Sequence, residues 1–146
     1  MNQIDIEKQI KENYHKAFYD LIEENINSEN PDLEWLVRLY EEIRMRFLSY
    51  IKNNKKVRKQ IEDDFDIEFF KHLISNNVFD FVSMIKLINM TFDWILKLQA
   101  PVHDETTIKT RKFVLESDPK KIVSIFIKEV HICLDQIDND LENLKK

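Results

Sequence analysis

Not one of the 146 residues is glycine. Average usage of about 7% leads one to expect roughly ten, so the absence restricts which backbones the chain can build. Glycine supplies positive φ and close backbone approach to ligands. Without it the Walker A loop, the dinucleotide-binding G-x-G-x-x-G turn and the glycine-flanked nucleophile elbow are excluded. Asn-Gly and Asp-Gly hairpins are excluded as well, which counts against an all-β fold. With 43% hydrophobic and 34% charged residues, ten Phe and three Pro, the remaining composition is that of a helix-rich globular chain.

At this length one domain is expected, large enough to bury roughly 68–70% of its unfolded surface without a stapling metal or disulfide. Cys133 is the lone cysteine, so an internal bridge is impossible and a reducing, cytoplasmic setting is expected. The N-terminus is charged throughout and has no apolar signal core. The longest apolar stretch, Val78 to Leu98, is interrupted by Asp80, Lys86, Asp93 and Lys97. Each would cost about 2.5–3.5 kcal/mol at a bilayer centre, so a helix buried all round is expected rather than a membrane span.

Helical periodicity runs along most of the chain. Ile6, Ile10, Tyr14, Phe18, Leu21 and Ile22 form the stripe of a first helix ending near Ile26. Asn30-Pro31 reads as the start of a second, reaching about Lys52, with Leu36, Leu39, Tyr40, Ile43, Phe47 and Ile51 inward. A shorter helix around Val57, Ile61 and Phe65 follows Asn53-Asn54. Asp66 is placed to cap another carrying Phe69, Phe70 and Leu73, unless the two pieces are one bent helix. Asn76-Asn77 offers a left-handed cap, and Ala100-Pro101 ends the central helix. A weakly patterned helix covers Val102 to about Glu116. Ser117 or Asp118, with Pro119, starts the last, whose stripe is Ile122, Phe126, Val130, Leu134, Ile137, Leu141 and Leu144. The fold class is an all-α compact bundle of about six helices.

Chemistry-bearing patterns are thin. Glu12 and His15 form one Glu-x-x-His pair where a di-iron bundle uses two. Glu68 and His72 lie four apart, but two ligands leave zinc incomplete. Cys133 and His131 are two apart on a helix and face different ways, so they form no dyad. No catalytic, cofactor-binding or metal residues are assigned.

Charge is banded. Residues 1–35 carry nine acids against three bases, 36–60 eight bases against two acids, and 61–80 six acids against one base. The basic run from Lys52 to Lys59 lacks interleaved aromatics and the whole chain is at −5, which disfavours nucleic acid as a partner.

Several polar residues lie where the helical stripes do not need them. They fall in the segments Leu39-Tyr40-Glu41-Glu42-Ile43-Arg44-Met45-Arg46-Phe47-Leu48, Ile61-Glu62-Asp63-Asp64-Phe65-Asp66-Ile67-Glu68-Phe69, Asn77-Val78-Phe79-Asp80 and Ala100-Pro101-Val102-His103-Asp104-Glu105, followed by Leu134 to Asn143. In that order, over about residues 36–144, they resemble the T-complex protein 11 family. The chain is similar to the N-terminal part of the family domain, whose members are commonly longer. It departs from the family at Asn77, where members commonly have glycine, at Gln99, where they have Cys, and at His103, where they have Arg.

The resemblance implies a helical adaptor or regulator working through protein contacts. Animal members are associated with sperm function and cyclic-AMP signalling, and a yeast relative with suppressing loss of cyclic-AMP-dependent kinase. It supplies no catalytic residues. Arg44, Arg46, Asp66, Glu68, Asp80, His103 and Asp104 are the expected polar network or docking surface, with Arg44 reaching Asp66, Asp80 or Asp104 if the network is internal. A protein partner is expected. The alternatives are a self-associating scaffold or viral particle component and, further off, a metal-dependent helical enzyme.

Overall fold

The computed structural model describes residues 33–76 and 78–145, together with Gln3, Ile6, Gln9, Asn13, Lys16, Ala17, Asp20, Glu23 and Glu24. Those nine N-terminal positions are helical. Ile6, expected inward, is 46% exposed; the rest of its stripe, the Glu12/His15 pair, Asn30-Pro31 and Asn77 lie outside the described residues. Six further helices follow: α1 (Glu34–Tyr50), α2 (Lys55–Asp64), α3 (Ile67–Ser75), α4 (Phe81–Leu98), α5 (Asp104–Leu115) and α6 (Ile122–Leu144), with a 3-10 turn at Pro101–His103. No strand occurs among the described residues. The all-α bundle follows from the stripes, since each helix has one apolar face that only another helix can cover.

Helix α1 begins at Glu34 after Leu33, later than the expected Asn30 cap, and its inward residues are the expected Leu36, Leu39, Tyr40, Ile43 and Phe47. It packs on α2, α3 and α4, while α4, α5 and α6 pack on one another. Residues 55–75 form two helices rather than one bent one. The break comes where Phe65 turns into the core and the Asp66 side chain accepts the Phe69 N–H at 3.0 Å, an N-cap that starts α3 afresh. Asn54 caps α2 in the same way through Val57. Around the elbow, Tyr40 stacks on Phe70 with ring centroids 4.0 Å apart, Phe65 lies tilted 5.2 Å from Tyr40 and edge-on 5.5 Å from Phe47, and Phe79 meets Phe70 edge-on at 5.4 Å. Such pairs contribute about 0.5–1.5 kcal/mol each beyond area burial, so five rings lock the α2–α3 elbow onto α1.

Two expectations need correction. Helix α4 is not buried all round: Met84, Leu87, Ile88, Thr91, Phe92, Trp94 and Ile95 are covered, whereas Lys86, Asp93 and Lys97 share an exposed strip and Phe81 and Val82 are 52% and 60% exposed. Helix α3 ends at Asn76, whose side-chain amide donates to the His72 carbonyl at 2.8 Å, and Val78 N closes back on the Leu73 carbonyl at 3.1 Å; Asn77, where a left-handed cap would place its positive φ, lies outside the described residues. Helix α6 starts at Ile122, because Asp118 forms a turn that bonds Lys120 N and Lys121 N instead of capping. Ser124 in its buried first turn donates to Glu23 Oε1 at 2.6 Å, placing an anion where the helix macrodipole is positive. The α6 stripe is buried through Ile137; Leu141 and Leu144 run past the core and are 38% and 82% exposed.

Candidate functional site

The polar residues gather in two places, along α6 and at the elbow. On α6, Asp135 and Asp138 are three apart and so share a face. Arg46 of α1 reaches both, with Nη2 3.1 Å from Asp135 Oδ1 and 2.5 Å from Asp138 Oδ2. Burial disfavours the charge on Arg46, but the hydrogen bonds to these acids outweigh it and raise its pKa. Tyr50, one turn on, donates to the Leu134 carbonyl at 3.3 Å. Its hydroxyl is pushed up to about 12 by burial, while Arg46 pulls the other way and the Asp138 carboxylate adds to the rise.

The same acidic run holds the 3-10 turn. His103 Nε2 lies 2.9 Å from Asp140 Oδ2, and Gln136 donates to the other oxygen of that carboxylate at 3.1 Å. His131 Nε2 lies 3.6 Å from Glu42 Oε1, an ion pair only when the imidazole is protonated. The His131 Nδ1 faces the Ile127 carbonyl at 2.8 Å; a carbonyl only accepts, so that nitrogen carries the proton.

At the turn between α4 and α5, Gln99 is buried and bonded at both ends of its amide. Its Nε2 donates to Asp104 Oδ1 at 3.0 Å, and its Oε1 accepts from the buried Thr107 hydroxyl at 2.9 Å. Arg111 then pairs with Asp93 at 2.6 Å to fasten α5 along α4. Arg58 serves α1: its Nη1 donates to the Leu48 and Ile51 carbonyls at 2.7 and 2.5 Å, satisfying acceptors the helix end leaves open.

The elbow presents a different picture. The Asp64 carboxylate accepts the Trp94 indole N–H at 2.7 Å, and its carbonyl accepts the Tyr40 hydroxyl at 3.2 Å. Burial raises the Tyr40 pKa, and the nearby charge of Asp66 adds to it while Arg44 opposes. Arg44 is half-buried, and its Nε is enclosed with no hydrogen-bond partner.

The expected Arg44 network therefore does not form. Asp66 and Asp80 are N-caps, Asp80 accepting from Ser83 N and Oγ at 2.9 and 3.0 Å. Asp104 is bound to Gln99, and Glu68 is exposed, 3.9 Å from Lys71. Of the seven expected residues only Arg46 and His103 join a common region, and they do so through Asp135, Asp138 and Asp140, whose roles the sequence reading missed. The usable signal was the i, i+3 spacing of acids on an otherwise apolar-striped helix. Two departures from the family pattern, Gln99 and His103, are both engaged in contacts that fasten the 3-10 turn. No group of three or more His, Cys, Asp or Glu among the described residues could hold a metal ion. Burial, with Glu129 adding, raises the Cys133 thiol to about 11, far from a poised nucleophile. No described helix is long and apolar enough to cross a membrane.

The pattern that defines T-complex protein 11 proteins matches residues 2–144. The chain belongs to the T-complex protein 11 family. Among curated relatives, the human (Homo sapiens) T-complex protein 11 homolog is 27% identical over 105 residues, 71% of this chain and 20% of that protein. The chain thus spans about one fifth of this relative's length. No solved structure matches it. The family match reaches further toward the N-terminus than the polar segments, which begin near residue 36.

Proposed function

We propose that the chain is a non-enzymatic interaction module, an adaptor or regulator that presents a rigid helical surface to a protein partner. Cyclic-AMP and protein-kinase signalling is the setting that the family suggests. One contrast carries the reading. Arg46, Arg58 and Arg111 are each committed to internal acceptors, whereas Arg44 is held half-buried with an enclosed, unpartnered Nε. The enclosed Nε is out of a partner's reach, but the Nη groups of Arg44 make no hydrogen bond or ion pair among the described residues, and a guanidinium held half-buried in this way is the kind of group that anchors protein interfaces. Capture of partners from the native cell by the wild type and by Arg44→Met tests it. A variant that melts like the wild type but no longer retains the partner supports docking through Arg44; undiminished capture overturns it.

Self-association is the second reading, favoured by the exposure of Val102 (81%) and Leu144 (82%). Light scattering that finds a strict monomer at high concentration removes it.

A further inference from the structure

The corner where α3 turns into α4 combines two features seldom left exposed together. Phe69, Val78, Phe81 and Val82 are 59%, 52%, 52% and 60% exposed. Contacts on either side tie the two helices together. Phe70, next to Phe69, meets Phe79 edge-on at 5.4 Å, and Val78 N donates to the Leu73 carbonyl at 3.1 Å. Exposed large apolar side chains concentrated at one corner mark an interaction surface rather than scattered surface noise.

The charge around them is mostly negative. Asp66, Glu68 and Asp80 are exposed. Asp66 and Asp80 serve as N-caps and make no ion pair among the described residues, while Glu68 reaches Lys71 only at 3.9 Å. Across residues 61–80 six acids stand against one base; Lys71 lies by Glu68 and Lys86 acts on Asp80. The Asp80 carboxyl is held below its ordinary range by its hydrogen bonds from Ser83 N and Oγ, so it stays charged at neutral pH.

Exposed apolar groups in segments that also carry exposed carboxylates are complementary to a helix with apolar residues along one face and lysines or arginines beside them. We propose that the α3–α4 corner docks a basic amphipathic helical segment of a protein partner. The proposal rests on the adaptor reading and names a partner chemistry for it; Arg44 is not among its contacts.

The test uses the whole chain and a synthetic leucine–lysine peptide of about five helical turns with its leucines on one face, titrated by fluorescence anisotropy. Saturable binding is expected, together with at least about tenfold loss in Phe69→Ser/Val82→Ser and in Glu68→Lys, and weakening at about 0.5 M salt. All three substituted side chains are exposed, so circular dichroism should show the fold retained. Phe113→Ser, on the exposed face of α5, should bind as wild type. Equal binding of a scrambled peptide of the same composition, or unchanged affinity in the corner variants, overturns the proposal. Failure to bind the peptide while Arg44-dependent partner capture persists also overturns it, and leaves the adaptor reading standing. Peptide affinity that falls in Arg44→Met would likewise overturn the assignment to this corner.

Discussion

Arg44 and Arg46 are two residues apart on one helix, yet the structure assigns them opposite consequences when each is replaced by Met. Methionine keeps most of the packed stem and removes the guanidinium, so the comparison isolates the polar head. For Arg46 the head is lost from two carboxylates, at 3.1 and 2.5 Å, and its side chain is only 19% exposed. Hydrogen bonds to charged groups contribute about 1.5–3 kcal/mol each when protected. Here the acids are 70% and 52% exposed and rehydrate when released, which reduces the expected total to about 1–2 kcal/mol. For a chain of this size that lowers Tm by roughly 2–8 °C. Arg44→Met removes an enclosed, unpartnered Nε, so its expected effect on stability is neutral to favourable. Thermal denaturation followed by circular dichroism at low and high salt reads both, and the Arg46 deficit should shrink with salt. An Arg44→Met deficit as large as that of Arg46→Met would refute the assignment of these two side chains.

Three more outcomes follow from the same contacts. Trp94→Phe removes the indole donor to Asp64 and should cost about 1 kcal/mol in urea denaturation, with Asp64→Asn costing less because an amide oxygen still accepts; equal stability of Trp94→Phe and wild type would argue against that bond. Cys133, half-buried and with its thiol raised to about 11, should react with a disulfide reagent at pH 8 only slowly, and fully once unfolded; rapid stoichiometric labelling of the native chain would contradict the raised thiol. Asp80 has a lowered pKa in the folded chain, so its contribution is present above the unfolded value near 3.8 and is lost as pH falls through the lower folded value. Asp80→Ala should therefore melt earlier at neutral pH, and the difference should close in acid. A gap that widened in acid would reverse that sign.

Much of the fold was legible because local rules act on neighbouring residues. Asn54 and Asp66 cap the helices that follow them, and Pro101 forces Ala100 out of the helical region to ψ 135°. The buried faces of α1 and of α6 as far as Ile137 are the stripes that periodicity predicts. Without glycine, the starts of α2, α3 and α4 are closed by Asn54, Asp66 and Asp80, and the end of α1 by Arg58. That absence already ruled out phosphate-cradling loops. The sequence by itself thus determined the class, most helix boundaries and the chemistries the chain lacks.

Only tertiary structure decided which polar residue meets which. Arg44 and Arg46 are equally plausible partners for an acid when read along the chain, but α6 passes the flank of α1 that carries Arg46 and brings Asp135 and Asp138 from 89 and 92 residues away. Asp66 and Asp80 are engaged by backbone and side-chain donors three residues on, before any arginine can claim them. The exposure of Leu141, Leu144, Phe81 and Val82 depends likewise on where the neighbouring helices stop. Periodicity identifies the face a helix would bury, but whether it is buried depends on long-range packing, and hydrogen bonds between distant side chains follow from that packing.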